Sequence, residues 1–298
     1  MQPSTEALQI KSTYLPTFSK LAATAGVARE NIPEYCDAVF TIALAIVEKY
    51  ESGMMTVGIS GAQGSGKSSI SRMLQSVLED AFSMSSGILS IDDFYLTREK
   101  RHILGREVHP LLAVRGVPGT HDMSLLWRTI SQLKAGFDCT VPVFSKGNDD
   151  RLPDDRRVNP ASVLILEGWC WGADASSDED LLTPVNKLEA DQDQDLVWRR
   201  YVNQALTSPA YRQCFSNDLR IFLAVPDMES VFNWRLQQEQ QIDTGKRVMN
   251  AAQVRNFIMY YQRITENMLQ EQPAKADITL RLRHDHGIGK VLINQRLM

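Results

Sequence analysis

Hydrophobic residues along the chain follow two alternating patterns. Continuous apolar runs that end at polar residues or proline are typical of buried parallel strands. Such runs predict strands at 54–60, 87–91, 161–169, 219–225 and 276–282. Between them, apolar residues recur every three or four positions, which indicates amphipathic helices. That spacing predicts helices at 67–80, 97–104, 123–136, 195–206, 228–241 and 251–270. Because strands and helices alternate, we expect an α/β fold with a parallel sheet and helices on both faces.

The first part of the chain has no strand pattern. Residues 4–52 have helical spacing throughout, and 38–47 form the longest apolar run. This run is too short to span a bilayer and charged residues bracket it, so we expect a buried helix. We therefore divide the chain into an N-terminal helical segment, 1–52, that packs on a core domain, 53–298.

Two further segments lack regular spacing. Residues 105–122 are rich in glycine and proline, and we expect an ordered loop there. Residues 172–195 contain many Asp, Glu and Ser residues and few apolar ones. We expect this second segment to be a solvated loop or insertion.

The overall composition is that of an ordinary globular protein, with 43% hydrophobic residues, 23% charged residues and a formal net charge of −4. Nucleic-acid binding is not indicated, because it needs a basic face and no long basic run is present. The N-terminus lacks the basic and apolar regions of a secretory signal. The four cysteines have no metal-binding spacing. We expect a cytoplasmic protein with reduced thiols and no membrane partner; the sequence does not indicate an oligomeric state.

The most specific motif is GAQGSGKS at residues 61–68, which matches the Walker A pattern G-x-x-x-x-G-K-[ST]. Its glycines let backbone N–H groups turn towards an anion, and the following helix adds its positive N-terminus. In such loops the lysine, here Lys67, reaches the β- and γ-phosphates, and the hydroxyl, here Ser68, binds Mg²⁺. A predicted strand precedes the loop and a predicted helix follows it. The sequence therefore predicts a P-loop NTPase-type sheet that binds a nucleoside triphosphate.

The base of that nucleotide is less directly indicated. A GTP-binding protein should have the guanine-recognition motif NKxD after a buried strand. Residues 186–189 read NKLE, which ends in Glu and lies in the acidic segment. We find no signature of a transport ATPase or a helicase, so ATP is favoured over GTP.

Carboxylates at predicted strand ends indicate a kinase. Asp92 and Asp93 follow one strand and Glu167 ends another, and ligands of such sheets bind at the carboxyl ends of the strands. A carboxylate at the position of Asp92 can accept the proton of an attacking hydroxyl. Glu167 has the position of a carboxylate associated with Mg²⁺. The alternatives are a helix cap for Asp92 and a buried structural acid for Glu167.

Five motifs occur in an order that resembles the phosphoribulokinase, uridine kinase and pantothenate kinase group of P-loop kinases. They are GAQGSGKSS, SIDDFYLT, RGVPGTHD, VPVFSKGNDDR and LILEGWCWGA. Within that group the chain is most similar to the D-glycerate 3-kinase branch, from about residue 54 to residue 285. The segment between Lys146 and Arg151 is shorter than in plant and fungal members and is closer to the bacterial form.

The resemblance implies roles for the matching positions. The nucleotide-binding residues would be Gly61, Gln63, Gly64, Ser65, Gly66, Lys67, Ser68, Ser69 and Arg235. The substrate-binding residues would be Arg115, His121, Asp122, Lys146 and Arg151. Lys67, Asp92 and Glu167 would be catalytic, and Ser68, Asp92 and Glu167 would bind Mg²⁺.

The resemblance also implies the reaction. We expect ATP and Mg²⁺ to be used to phosphorylate the primary hydroxyl of D-glycerate, a small acid, to 3-phosphoglycerate. A helical lid at about 240–250, with Lys246 and Arg247 as basic residues, is expected to close over the site. The alternatives are a kinase for pantothenate, a nucleoside or another small acid, and an ATP-binding protein without catalytic activity.

Overall fold

The computed structural model of the chain describes residues 4–240 and 248–294, so Lys246 and Arg247 of the predicted lid lie outside the described residues. The helices are α1 (Thr5–Thr24), α2 (Ile32–Lys49), α3 (Lys67–Ser76), α4 (Arg98–Glu107), α5 (Met123–Lys134), α6 (Asp178–Leu182), α7 (Lys187–Gln192), α8 (Val197–Thr207), α9 (Pro209–Phe215), α10 (Met228–Gln240), α11 (Ala251–Met259) and α12 (Gln262–Lys275). The strands are β1 (Met55–Gly61), β2 (Ser86–Ser90), β3 (Cys139–Val141), β4 (Phe144–Ser145), β5 (Asp150–Arg151), β6 (Arg156–Val158), β7 (Val163–Gly168), β8 (Leu219–Ala224), β9 (Ile278–Leu282) and β10 (Ile288–Ile293).

The main sheet has the strand order β10-β9-β8-β1-β7-β2. All neighbouring pairs are parallel except β9 and β10, which are antiparallel. Side chains of β7 alternate between two hydrophobic clusters: Val163 and Ile165 join one, and Leu164 and Leu166 join the other. Since both faces of the strand are buried, helices must cover both faces of the sheet. The predicted α/β fold is confirmed.

The N-terminal helices form part of the cluster on one face of the sheet. Tyr14, Phe18 and Ala22 of α1 are buried together with Val57 and Ile59 of β1, and most of α2 is buried in the same cluster. Full burial of a large apolar side chain contributes about 1.5–3 kcal/mol. These helices pack against the sheet, and the division of the chain into two parts at residue 52 stays a prediction.

The acidic segment 172–195 differs in part from the expected solvated loop. It contains the short helices α6 and α7, and Leu181 and Leu188 are buried. Its carboxylates Glu189 and Asp193 are also buried, because arginines of α8 and α12 neutralise them. Most of the segment is exposed, as expected of a solvated insertion. Its short helices and buried carboxylates were not predicted, because a sequence pattern does not show that an acidic residue has a distant cationic partner.

Three other details differ from the expected elements. The helix predicted at 251–270 is two helices, α11 and α12, which meet at Tyr260 and Tyr261. The edge strand β10 and the small antiparallel pairs β3–β6 and β4–β5 were not predicted. Four of these five strands have only two or three residues, which is too short to show an alternating apolar pattern.

Candidate active site

The predicted phosphate loop joins the carboxyl end of β1 to Lys67, the first residue of α3. Gly64 and Gly66 have φ angles of 78° and 86°, which lie in the region that favours glycine. A Cβ atom on Gly64 would lie 3.0 Å from the Cβ of Trp234. No side chain caps the start of α3 at Gly66, so the first N–H groups of this helix can bind an anion.

Several buried polar atoms around this loop have no hydrogen-bond partner in the described part of the chain. They are both amide atoms of Gln63, Oγ of Ser65 and Nε of Arg235. An unpaired buried polar group costs about 1–3 kcal/mol, so its retention needs an explanation. Together with the uncapped helix, the two N–H donors among them, Gln63 Nε2 and Arg235 Nε, fit the phosphates of a nucleotide.

Lys67, Ser68 and Glu167 lie together at the end of this loop. The Nζ of Lys67 donates to the carbonyl oxygen of Ala62 at 2.9 Å, and the Ser68 hydroxyl donates to Glu167 Oε1 at 3.2 Å. Burial lowers the pKa of Lys67, while the charges of Glu167 and Asp92 act in the opposite direction. A serine hydroxyl beside a carboxylate is a suitable partial ligand set for Mg²⁺, which is commonly held by one or two carboxylates together with phosphate. Within 4–240 and 248–294, no group of three or more His, Cys, Asp or Glu residues could hold a metal ion alone.

Asp92 lies in a helical turn, Ile91–Phe94, that directly follows β2. The hydroxyl of Ser90 accepts a hydrogen bond from the Asp92 N–H at 3.3 Å and caps this turn, so the Asp92 carboxylate is not the capping group. Its Oδ2 instead pairs with Lys146 Nζ at 2.7 Å. Burial favours a higher pKa for Asp92, but Lys146, with smaller contributions from His121 and Lys67, outweighs it and lowers the pKa to about 2. The carboxylate is therefore ionised.

The hairpin of β4 and β5 places Lys146 beside Asp92, and a second cation, Arg115, packs against the same hairpin. Lys146 lies in the turn of this hairpin, and Arg115 packs over the Phe144 ring with 5.6 Å between its guanidinium carbon and the ring centroid. Arg115 also forms an ion pair with Asp149. The negative charge of Asp92 raises the pKa of Lys146, against the opposing effect of burial. Lys146 is thus held in charged form.

These groups line one cavity of about 390 Å³, a volume in the range of small-molecule sites. Of the predicted residues, it is lined by Gln63, Gly64, Gly66, Lys67, Ser68, Ser69, Asp92, Arg115, Lys146, Glu167 and Arg235. Arg235 reaches the cavity from α10, where it pairs with Glu239 and lies 5.3 Å from the centroid of the Phe257 ring. Gly61 and Ser65 support the loop from behind and do not line the cavity.

Three predicted substrate-binding residues form a layer behind the cavity wall. His121 stacks on Tyr95 with 4.5 Å between ring centroids, and its Nδ1 lies 2.9 Å from the Tyr211 hydroxyl. Asp122 caps α5 and pairs with Arg151 at 3.6 Å. Arg151 Nε donates to the Tyr95 carbonyl oxygen at 2.7 Å. Since these side chains contact protein groups and do not line the cavity, direct substrate binding by them stays a prediction.

Comparison with known proteins agrees with this geometry. A model of the phosphoribulokinase/uridine kinase family matches residues 56–203. A Saccharomyces cerevisiae protein named "Probable ATP-dependent kinase TDA10" is 33% identical over 245 residues, which cover 72% of this chain and 79% of that protein. The chain belongs to the phosphoribulokinase/uridine kinase family. The predicted resemblance is thereby confirmed, and the chain is a P-loop kinase.

Two further relatives of this kinase are named for one reaction. The chloroplastic D-glycerate 3-kinase of Arabidopsis thaliana is 31% identical over 229 residues, which cover 70% of this chain and 46% of that protein. The solved structure of a D-glycerate 3-kinase from Cryptococcus neoformans matches with a TM-score of 0.71 at 24% identity, over 86% of this chain and 98% of that chain. This structural likeness shows the shared fold.

Aromatic residues of the kinase site were not predicted from the sequence. Tyr95, Trp169 and Tyr261 line the cavity, as do Ser90, Asp93, Phe144, Gln238 and Phe257. Trp169 Nε1 donates to the Gly116 carbonyl oxygen at 2.9 Å, and Tyr261 packs edge-on against Trp169. Trp169 ends a predicted strand and Tyr95 follows another within a few residues, which is a usable signal. Tyr261 lies between α11 and α12 and has no local signal.

The described helices lack membrane-spanning character. None of those within 4–240 and 248–294 is both long and apolar enough to cross a bilayer.

Proposed function

We propose that this P-loop kinase transfers the γ-phosphoryl group of ATP to the primary hydroxyl of D-glycerate, which gives 3-phosphoglycerate. One observation carries the proposal: Arg115 and Lys146 line the same cavity as the phosphate loop and the carboxylate of Asp92. Two cations in the same cavity as a candidate base suit the carboxylate of a small hydroxy acid. An uncharged acceptor would make no use of them.

The nucleotide half of the proposal rests on the loop 61–69 and on Arg235. Ser68, Glu167 and Asp92 would hold Mg²⁺, which supplies positive charge that offsets the charge of the phosphates. Lys67 and Arg235 add fixed positive charge beside the transferred group. In phosphoryl transfer, such positioning and electrostatic stabilisation supply most of the acceleration.

Asp92 is the group that would act on the acceptor. Its carboxylate accepts a hydrogen bond from the primary hydroxyl and takes the hydroxyl proton as the oxygen attacks phosphorus. General base catalysis of this kind contributes about 10²–10⁴-fold to a rate. Arg115 and Lys146 bind the acceptor carboxylate, which orients the hydroxyl towards Asp92.

The name of the Arabidopsis relative supports glycerate as the acceptor. The alternative acceptors are pantothenate, a nucleoside or another small acid. A further alternative is a protein that binds ATP without transferring its phosphoryl group. The free cysteines support the predicted cytoplasmic location.

The test is ADP release from MgATP by the purified protein, with and without D-glycerate, with the product identified by mass spectrometry. Stimulation with formation of 3-phosphoglycerate is the expected result, and Lys67→Ala should abolish it. Pantothenate, uridine and glycerol are measured in parallel. Stimulation by one of these in place of D-glycerate would overturn the proposed acceptor, and binding of ATP without stimulation by any of them would favour the non-catalytic alternative.

A further inference from the structure

The two cations of the proposed acceptor site, Arg115 and Lys146, each form an ion pair with an aspartate, and the two pairs differ in their surroundings. Asp149 binds Arg115, and it also binds Arg101, which is fully buried, at 3.1 Å. Arg101 additionally donates to the Asp149 carbonyl oxygen at 2.5 Å. Asp149 therefore keeps one cation when Arg115 turns towards a ligand.

Lys146 and Asp92 form a pair that can open easily. The Lys146 side chain is 65% exposed, and that of Asp92 is 28% exposed. Because the lysine end of the pair is exposed, solvent screens the pair and holding the lysine in place costs side-chain freedom, so the pair is weaker than a buried one. The lysine ammonium also lies on a flexible four-carbon stem, so it can move to a nearby anion without backbone change.

Asp92 does not lose all its partners when that pair opens. The Tyr95 side chain lines the same cavity as the Asp92 carboxylate. The charge of Lys67 also acts on Asp92. The carboxylate thus stays stabilised as an anion while the oxygen that Lys146 contacted becomes free to accept a hydrogen bond.

We propose that Lys146 is an exchangeable counter-ion, which pairs with Asp92 while the acceptor site is empty and with the carboxylate of a small hydroxy acid when that acid binds. This inference rests on the proposed function, because it takes the acceptor to be an acid. A bound acid draws Lys146 away and leaves Asp92 free to bind the acceptor hydroxyl. A neutral alcohol leaves the pair closed, so the exchange selects hydroxy acids over alcohols of similar size.

The exchange has a measurable consequence for binding alone. If Lys146 must leave Asp92 to bind the acid, then Asp92→Asn removes this competition. We expect the Kd for D-glycerate, measured by calorimetry with ADP and without Mg²⁺ or ATP, to fall about fivefold in this variant, which corresponds to about 1 kcal/mol. A simple substrate-binding lysine without exchange predicts an unchanged or weaker affinity.

A second background separates exchange from direct repulsion between Asp92 and the acid. In Lys146→Met protein, Asp92→Asn should give no gain in affinity, because there is no lysine to release. Repulsion alone would give the same gain in both backgrounds and would overturn the proposal. Arg156→Met is the matched control, since Arg156 pairs with the neighbouring Asp93 at 3.6 Å and does not line the cavity; the gain should persist in it.

The remaining outcomes are also decisive. Binding of ADP by each variant shows that the variant is folded. If Asp92→Asn protein does not fold, Asp92→Ser is used in its place. If D-glycerate binds the wild type but binds no more tightly when the Asp92 charge is removed, the exchange is overturned and the proposed function stays intact. D-glycerate that binds neither wild type nor variants would overturn the proposed acceptor and the exchange with it.

Discussion

At the scale of the single residue, Asp92 is the group whose change should separate nucleotide binding from chemistry. Asparagine keeps the shape of Asp92 but replaces one acceptor oxygen with an NH2 donor and cannot take the hydroxyl proton. We expect Asp92→Asn to lower kcat with D-glycerate by about 10²–10⁴-fold, measured as initial rates of ADP release. The Kd for ADP, measured by calorimetry, should change little because the phosphate loop remains.

The neighbouring carboxylate is a matched control for this prediction. Asp93 also lines the cavity, but it accepts a hydrogen bond from the Phe144 N–H and pairs with Arg156. Asp93→Asn should therefore reduce kcat by less than about tenfold, as expected for a positioning residue. Wild-type turnover by Asp92→Asn would show that the base has been assigned to the wrong residue.

His121, behind the cavity wall, should make stability depend on pH. Burial lowers the pKa of His121 to about 4, while the charge of Asp92 acts in the opposite direction. In the unfolded chain the pKa is about 6.5. Between these values the unfolded chain binds a proton that the folded chain does not, so the free energy of unfolding falls as the pH decreases. The full change, from about pH 6.5 to about pH 4, is about 3 kcal/mol.

Urea unfolding at a series of pH values measures this effect. His121→Gln should flatten the decrease, because glutamine does not titrate and can still bond to Tyr211. His102→Gln, at an exposed position of α4, should retain the wild-type decrease. An equal slope in wild type and His121→Gln would mean that other groups cause the acid sensitivity.

At the scale of the element, α1 tests whether the N-terminal helices belong to the core. Phe18 is fully buried, whereas Leu15 on the same helix is 41% exposed. Phe18→Ala should lower the free energy of unfolding by about 3–5 kcal/mol, through lost burial and a cavity. Leu15→Ala should change it by less than about 0.5 kcal/mol. Urea unfolding followed by circular dichroism measures both, and equal small effects would mean that α1 contributes little to the fold.

The acidic segment shows where element-level prediction from sequence fails. The phosphate loop and the strand ends at Asp92 and Glu167 could be predicted because each depends on a short run of residues. The burial of Glu189 depends instead on Arg263, which lies 74 residues further along the chain and donates to Glu189 Oε1 at 2.9 Å. Only the folded chain brings this pair together, so local composition could not indicate that Glu189 is buried.

At the scale of the whole molecule, helix α2 and the turn between β9 and β10 meet beside the phosphate loop. The Tyr35 hydroxyl of α2 donates to the carbonyl oxygen of His286 at 2.8 Å. The His286 ring stacks on Trp234 with 4.0 Å between centroids, and Trp234 in turn packs against Gly64. The sequence motif predicted the loop itself, but it could not predict this support, because the partners come from segments about 250 residues apart.

This arrangement leads us to expect that the N-terminal helices, the sheet and the phosphate loop unfold as one cooperative unit. ADP at 100 times its Kd should then raise the free energy of unfolding by about 2.7 kcal/mol. The increase should be the same by tryptophan fluorescence, to which Trp234 beside the loop contributes, and by circular dichroism, which reports all helices. Lys67→Ala, which lacks the loop cation, should show a smaller increase at the same ADP concentration. Two separate transitions, or an increase seen by fluorescence alone, would mean that residues 1–52 fold independently of the site, because ligand binding stabilises only what unfolds together with it.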